Sequence, residues 1–241
     1  PAPLLHHPDE IRIQPLDSLN SAYRETNLSI TPDGRYLFFQ SQRGGMPWSS
    51  GGFGTFRGRP RYDGDIWYSR YEAGTWRAAA CLGPAVNTGR GEDEPVVAAD
   101  GQRIVFQSWK PGWERSGGPY YQAELHGADW QSPRGLGGGI NAFFVREFNR
   151  YQAYATDGVA VSVDGNTFLV AAGPEYEEAL DIYISRKTGG QWSYLQKAAI
   201  STDGDERSLF IAADNRTLYF ASDSYGGMGG LDIFKTVLNE D

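Results

Sequence analysis

The sequence predicts an all-β fold, a four-bladed β-propeller. Three observations favour it: a unit that recurs four times, an Asp-Gly or Asp-Asn pair within each copy, and runs of alternating polar and apolar residues around that pair. A unit of roughly 50 residues that recurs is typical of a propeller, because a single unit cannot bury its apolar face alone. The repeat therefore outweighs any interpretation of single segments.

Each copy begins with two apolar strands joined by a tight turn. The turn pairs are Asp33-Gly34, Asp100-Gly101, Asp164-Gly165 and Asp214-Asn215. Such pairs favour the two positive-φ residues of a two-residue hairpin turn, and the flanking runs are rich in β-branched and aromatic residues. The sequence therefore predicts hairpins over residues 28–39, 96–106, 159–170 and 209–220.

A third and a fourth strand follow each hairpin and complete the blade. The predicted third strands are Asp65–Arg70, Tyr121–Leu125, Asp181–Arg186 and Asp232–Thr236. Their alternation of polar and apolar residues indicates half-buried strands. Tryptophans begin the fourth strands of three copies, at Trp76, Trp130 and Trp192. Because the acids at the start of the third strands, Asp65, Asp181 and Asp232, follow Gly-bearing turns, we expect them to bond free turn amides.

The last copy has no tryptophan strand of its own. At the other end of the chain, Leu19-Asn20-Ser21 aligns with Val86-Asn87-Thr88, which ends the fourth strand of the first copy. We therefore expect the N-terminal strand, residues 10–21, to pair with the C-terminal blade and close the ring, which removes the exposed sheet edges. An open fragment of a six- or seven-bladed ring is the alternative.

These segments give a domain plan. An N-terminal tail, residues 1–9, precedes one propeller domain, residues 10–241. Its blades span approximately residues 22–88, 89–142, 156–202 and 203–238, the last completed by residues 10–21. Between the second and third blades, the apolar residues of Phe143–Tyr154 fit either a short helix or an extended flap, and periodicity does not distinguish the two.

Composition excludes several classes of function. The 241 residues carry a formal charge of -8, which argues against nucleic acid as the main partner. Cys81 is the only cysteine, so the chain has no internal disulfide and no thiolate metal site. No apolar run approaches the length of about eighteen residues that a membrane span needs. The sequence starts at Pro1 without Met, so an earlier removal of a leader peptide stays open.

Several segments resemble a known repeat family. They are Glu92 eight positions before Asp100-Gly101, the strand Ile104–Ser108, and the run from Ser222 to Phe234 that contains Gly-Gly-Met-Gly-Gly-Leu-Asp-Ile-Phe. Together they resemble the TolB-like, WD-related propeller repeat, in particular copies from cell-envelope proteins of Bacteroidetes-type bacteria. This resemblance implies an extracytoplasmic interaction module that is usually not an enzyme. The chain departs from the pattern by an insertion after Arg43 and by Thr156, which stands where other copies have glutamate.

Two loops are candidates for a binding surface. The insertion Gly44–Tyr62 is not needed to build a blade, and such loops carry function more often than scaffold strands do. The loop Trp109–Arg115 occupies the corresponding place in the next blade. The candidate binding residues of both loops are Trp48, Phe53, Phe56, Arg57, Arg59, Arg61, Tyr62, Trp109 and Trp113. Aromatic rings with arginines suit protein contacts or stacking on sugars.

Three acids recur before the innermost strands. Glu25, Glu92 and Glu206 are expected to circle one mouth of the central channel. Their carboxylates could hold a cation there, since hard metals prefer oxygen ligands. The stronger interpretation is structural: each acid caps a connection between blades by accepting hydrogen bonds from backbone amides. Beyond that cation, the sequence predicts no cofactor.

The resemblance to the TolB-like repeat implies a non-enzymatic scaffold of the cell envelope, in the periplasm, at the outer membrane or secreted. Its expected partner is a protein, including copies of itself as a homo-oligomer or within a larger envelope assembly. No GxSxG or HExxH motif accompanies the three histidines. The alternative is a carbohydrate-binding or carbohydrate-cleaving propeller, in which Glu25, Glu92, Glu206 and Asp205 would act as a carboxylate set.

Overall fold

The computed structural model describes residues 14–174 and 179–239, and antiparallel β-sheets dominate it. The all-β prediction is therefore confirmed. These residues form two compact units, one of residues 15–137 and the other of residues 138–174 and 179–239. Within the described ranges, no helix is long and apolar enough to cross a membrane.

The first repeat forms one blade-like sheet and an extra hairpin. Its strands are β1 (Glu25–Ile30), β2 (Tyr36–Ser41), β3 (Gly51–Phe56), β4 (Arg59–Tyr62), β5 (Asp65–Glu72), β6 (Thr75–Trp76) and β7 (Ala80–Cys81). Strands β1, β2 and β5 are neighbours in that order, and both β6 and β7 pair with β5. Strands β3 and β4 pair only with each other, between β2 and β5 in sequence.

The second repeat has the same plan without the extra hairpin. Its elements are β8 (Asp93–Val97), β9 (Arg103–Gln107), the helical turn α1 (Trp113–Ser116), β10 (Tyr120–His126), β11 (Asp129–Trp130) and β12 (Arg134–Gly135). The first strands of the two repeats, β1 and β8, contact each other. Asn27 donates to Asp93 at 2.7 Å, and the Val97 amide donates to the Ser29 hydroxyl at 3.0 Å.

The second unit begins with a helix and continues with the third repeat. Its elements are α2 (Gly138–Tyr151), β13 (Ala155–Val161), β14 (Thr167–Gly173), β15 (Asp181–Thr188), β16 (Gln191–Trp192) and β17 (Gln196–Lys197). The segment that fitted a helix or a flap is thus helical. Strand β14 is buried along its whole length, which makes this sheet the most enclosed of the described part of the chain.

The fourth repeat contributes three described strands, β18 (Glu206–Ile211), β19 (Thr217–Ser222) and β20 (Asp232–Val237). Of the segment predicted to complete this sheet, residues 10–13 lie outside the described residues, and residues 14–21 contain no strand. Ile233 in β20 is 68% exposed. Ile66 and Ile182, at the same register in β5 and β15, are fully buried. The described part of β20 therefore has an uncovered edge.

The hairpin turns differ in detail from the prediction. Positive φ occurs at the second residue of each pair, Gly34, Gly101, Gly165 and Asn215, and not at the preceding aspartate. Each aspartate instead accepts a hydrogen bond from the amide two residues later, as Asp33 does from Arg35 at 3.0 Å. Because the aspartate is held by its own side chain, the loop is a type I turn followed by one left-handed residue.

The predicted tryptophan strands are also interrupted. In three repeats the fourth strand consists of two pieces of two residues each, as in β6 and β7. Trp76 pairs opposite Tyr71, whereas Cys81 pairs opposite Trp67. The same third strand therefore receives both pieces, and the chain between them leaves the sheet.

Candidate functional site

The insertion Gly44–Tyr62 forms an ordered hairpin. Strands β3 and β4 pair with Phe56 opposite Arg59 and with Gly51 opposite Tyr62. At the tip, Arg57 and Gly58 both have positive φ, 49° and 76°. This is a two-residue hairpin turn, the same kind that Ala73-Gly74 and Gly189-Gly190 form between third and fourth strands. The insertion is therefore a separate two-stranded element rather than a loose loop.

Buried polar contacts fix the base of the hairpin. The Trp48 indole N–H donates to Asp65 Oδ1 at 2.8 Å, and the Ser50 amide donates to Asp63 Oδ1 at 2.6 Å. Asp63 and Asp65 are 3% and 0% exposed, whereas the donors Trp48 and Ser50 are half-buried. A Cβ atom on Gly44 would lie 2.6 Å from the Tyr62 ring, which therefore packs directly on the backbone. Together these contacts hold the hairpin in one orientation.

Burial changes the acidity of both aspartates. Loss of hydration raises the pKa of Asp65 to about 6, against the lowering effect of the hydrogen bond from Trp48. Burial also raises the pKa of Asp63, whose Oδ2 atom is buried without a hydrogen-bond partner. The anchor of the hairpin therefore includes groups that titrate above the usual range of aspartate.

The arginines of the insertion point in different directions. Arg57 and Arg59 are exposed near the tip, while Arg61 is half-buried and donates to Gln42 Oε1 at 3.1 Å. The side chains of Phe53 and Phe56 lie outside what the structure describes. The hairpin thus carries two exposed cations in a chain with a net charge of -8.

In the second predicted loop, Trp109–Arg115, the tryptophans pack against each other instead of forming an exposed surface. Trp113 lies in α1 and is 4% exposed, and its ring meets that of Trp109 edge-on, with centroids 5.0 Å apart. Trp113 is therefore a core contact, which corrects its assignment to an exposed aromatic patch. Sequence analysis missed this because a short aromatic loop and a buried helical turn have the same composition. Trp109 is half-buried beside it.

The three glutamates each cap the connection that leads into their repeat. Glu92 Oε2 accepts from the Thr88 amide at 2.6 Å, and Oε1 accepts from the Thr88 and Ser108 hydroxyls at 2.7 and 3.0 Å. Glu206 makes the same three contacts with Thr202 and Ser222, at 2.9, 2.7 and 2.9 Å. Glu92 and Glu206 are 1% and 0% exposed. The capping interpretation of these two acids is confirmed.

Glu25 has the same cap with an added cation. Its carboxylate accepts from the Ser21 amide and hydroxyl and from the Ser41 hydroxyl, and Arg43 Nη2 lies 3.0 Å from Oε1. Among the described residues, no group of three or more His, Cys, Asp or Glu side chains is placed to hold a metal ion. The hydrogen bonds of the three acids hold the chain segments that lead into β1, β8 and β18.

Sequence analysis identified the glutamates but missed the residues that complete the cap. A Ser or Thr stands four positions before each glutamate, and a Ser stands sixteen positions after it. This Ser/Thr-x3-Glu-x15-Ser spacing was visible in three copies. It could have been found by aligning the copies around the glutamate instead of around the Asp-Gly turn.

The acids that begin the third strands act differently from one another. Asp232 Oδ2 accepts from the amides of Met228 and Gly229, at 2.8 and 3.2 Å, as predicted. Asp65 instead accepts the Trp48 indole, and Asp181 pairs with Lys197 at 2.7 Å. Equivalent positions in the repeat therefore bind a turn, an insertion and a neighbouring strand.

Comparison with known proteins identifies the fold. No protein-family model matches the chain, and no curated protein sequence matches it. Among solved structures, TolB from Agrobacterium tumefaciens matches 90% of this chain at 14% identity and a TM-score of 0.50. An α-L-arabinofuranosidase from Podospora anserina, in complex with cellotriose, matches 88% at 10% identity and a TM-score of 0.51. These likenesses show a propeller-like fold.

The chain is shorter than the structures it resembles. It spans 59% of the length of TolB and 63% of the arabinofuranosidase. A puromycin-hydrolysing peptidase from Mycobacterium tuberculosis matches at 15% identity and a TM-score of 0.47, and the chain spans 28% of its length. The structural neighbours thus include enzymes as well as TolB.

Proposed function

We propose that this chain is a non-enzymatic, TolB-like binding module of the bacterial cell envelope that docks a partner protein through the hairpin β3–β4. The observation that carries the proposal is the hairpin itself. It pairs with none of the blade sheets, yet Asp63 and Asp65 fix its base through buried hydrogen bonds. A segment that is held rigidly without extending a sheet is well suited to recognition, because it loses little conformational entropy on binding.

Charge favours an acidic partner surface. Arg57 and Arg59 are exposed at the tip, whereas the whole chain carries a net charge of -8. Complementary charge raises the rate of encounter and selects against like-charged surfaces. A second copy of the chain carries the same net negative charge, so self-assembly is one form of the proposed activity.

The state of the glutamates argues against a glycosidase. A carbohydrate-cleaving site needs two carboxyl groups that face a substrate, one as acid and one as base or nucleophile. Glu92 and Glu206 are buried and already accept three hydrogen bonds each. Removing them from these caps would leave buried amides and hydroxyls without acceptors, so the same acids are poor candidates for catalysis.

The proposal includes a closed four-bladed ring outside the cytoplasm. The uncovered edge of β20, where Ile233 is 68% exposed, supports pairing with the N-terminal segment 10–21. By the spacing of the first repeat, in which Ala80 pairs with Tyr68, Ile13 would lie opposite Lys235. The envelope location rests on the sequence resemblance and on the fold shared with TolB.

A cysteine pair tests the ring. In a Cys81→Ser background, Ile13→Cys with Lys235→Cys is expected to form an intramolecular disulfide, detected by a mobility shift without reductant. The control is Ile13→Cys with Lys187→Cys, because Lys187 lies in a different sheet. Equal yields in both pairs, or no disulfide in either, would contradict closure.

Arginine variants test the docking surface. We expect light scattering after size exclusion to show association at low salt that falls as salt is added, since exposed charges are screened within about 8 Å at physiological ionic strength. Arg57→Ala with Arg59→Ala should abolish it, while the control Arg90→Ala with Arg134→Ala, also exposed arginines of this unit, should not.

If the wild type is monomeric at every salt concentration, the same variants are compared for binding to a different protein. Cross-linking in an envelope fraction should then yield an adduct with the wild type and with the control variant, but not with the hairpin variant. If the hairpin variant behaves like the wild type in both experiments, the docking proposal is wrong.

A further inference from the structure

A groove that sequence analysis did not identify lies in the first unit, away from the hairpin. It has a volume of about 680 Å³ and runs between residues of the first two sheets. This volume is within the range of small-molecule sites, roughly 300 to 1,000 Å³. The inference drawn from it is independent of the hairpin and of the envelope location proposed above.

Aromatic rings form the apolar part of the groove. Phe38 is buried at its floor, with the Tyr68 ring stacked at 6.0 Å and the Trp130 ring edge-on at 6.2 Å. Tyr36, Tyr68 and Trp130 are half-buried, so each ring keeps part of its surface in contact with solvent. Because these rings also pack on the buried core of the unit, their positions are fixed.

Charged side chains line the remainder of the groove in equal numbers of each sign. Arg70 and Arg77 supply the cations, and Asp33 and Asp100 supply the carboxylates. Both arginines bond the same acid, Glu72, at 2.6 and 3.2 Å. The Arg77 amide also donates to the Arg70 carbonyl at 2.9 Å. The guanidinium groups of Arg70 and Arg77 therefore converge on one carboxylate.

We propose that this groove binds a neutral oligosaccharide. A sugar ring presents C–H faces that stack on aromatic rings and hydroxyl groups that both donate and accept hydrogen bonds. Tyr68 and Trp130 match the first, and the mixed charges of Arg77, Asp33 and Asp100 match the second. An apolar ligand would remove these charged groups from water without offering them a hydrogen bond, and a strongly charged ligand would meet its own sign as well as the opposite one.

Calorimetric titration of the full chain tests the proposal. The probes are neutral hexaoses of glucose, xylose and mannose, with oligogalacturonate as the anionic and chitosan hexamer as the cationic comparison. We expect at least one neutral hexaose to bind more tightly than either charged probe. Arg77→Ala and Trp130→Ala should each weaken that binding about tenfold or more, as the loss of a hydrogen bond from a charged group typically does.

Two further variants keep the outcome decisive. Trp130→Phe retains a ring and should restore most of the binding that Trp130→Ala loses, whereas Arg90→Ala, an exposed arginine outside the groove, should leave it unchanged. Circular dichroism of each variant verifies folding, and Arg77→Ala alone suffices if Trp130→Ala does not fold. Binding of no neutral hexaose, preference for a charged probe, or unchanged binding by Arg77→Ala would overturn the proposal. Because Arg57 and Arg59 lie outside the groove, failure here would leave the hairpin proposal standing.

Discussion

The third repeat holds its first strand by different contacts from those in the other three repeats. In the first, second and fourth repeats, a glutamate joins a preceding Ser or Thr to a later Ser. In the third repeat all three positions differ together: Gln152, Thr156 and Ala172 stand where the cap residues are expected. The cap is therefore gained or lost as a unit, because each member would be a buried polar group without the others.

An aromatic cluster occupies this part of the third repeat. Phe143 on α2 is 2% exposed, and its ring lies within 6 Å of the rings of Phe144, Tyr154, Tyr183 and Tyr194. Burial raises the pKa of Tyr154 and of Tyr183, so both phenols stay protonated in the physiological range. The corresponding part of the repeat is therefore held by directional hydrogen bonds in three copies and by aromatic packing in the third.

The largest loss of stability is expected when the aromatic cluster of the third repeat is disrupted. Phe143→Ala should lower the free energy of unfolding by about 3 to 5 kcal/mol, since it removes a buried ring and leaves a cavity among four others. The control on the same helix is Tyr151→Ala, which is 41% exposed and should cost less than about 1 kcal/mol. Guanidinium denaturation followed by circular dichroism measures both. Equal losses in the two variants would show that the cluster contributes no specific packing.

The next largest loss of stability is expected when the glutamate cap of the fourth repeat is disrupted. Glu206→Ala should cost roughly 3 kcal/mol, because the Thr202 amide and the hydroxyls of Thr202 and Ser222 lose their acceptor in a buried site. Ser222→Ala removes one donor and should cost only about 1 kcal/mol. The same denaturation measurement gives both values. A loss with Glu206→Ala no greater than that with Ser222→Ala would contradict the view that the carboxylate organises the cap.

Local signals explain which parts of the fold could be predicted from the sequence. The hairpins and third strands were predictable because Asp-Gly pairs and strand alternation are local signals. The helix α2 was not, since Gly137, Gly138 and Gly139 at its start offer no capping side chain, and its aromatic spacing fits a strand as well. Whether Trp113 is displayed or buried depends on packing by distant segments, which local composition does not contain.

The candidate surfaces show the same limit. Spacing identified the insertion after Arg43 but gave no sign that Asp63 and Asp65, buried behind it, fix its base. The groove was missed because Tyr68 and Trp130 lie in ordinary strands of two sheets and Arg77 lies in the link between β6 and β7, and these residues meet only when the two sheets pack. Sites assembled from repeats need the tertiary arrangement, whereas insertions are visible in the chain itself.

The smallest expected effect is a change in how stability depends on pH when Glu92 is replaced. Burial raises the pKa of Glu92 to about 7, above its ordinary value of 4.5. A raised pKa gives a contribution to stability that is complete below pH 4.5 and is lost as pH rises through 7, amounting to at most about 3 kcal/mol. Glu92→Gln should therefore have an unfolding free energy that falls less between pH 5 and 8 than that of the wild type. Asp65, whose pKa is raised to about 6, lowers the stability of both proteins by the same amount as pH rises, so its effect cancels in their difference.

The control is Glu114→Gln, an exposed residue whose replacement should leave the pH dependence of stability as in the wild type. If the unfolding free energies of the wild type and Glu92→Gln change in parallel with pH, ionisation of Glu92 does not contribute to the pH dependence of stability.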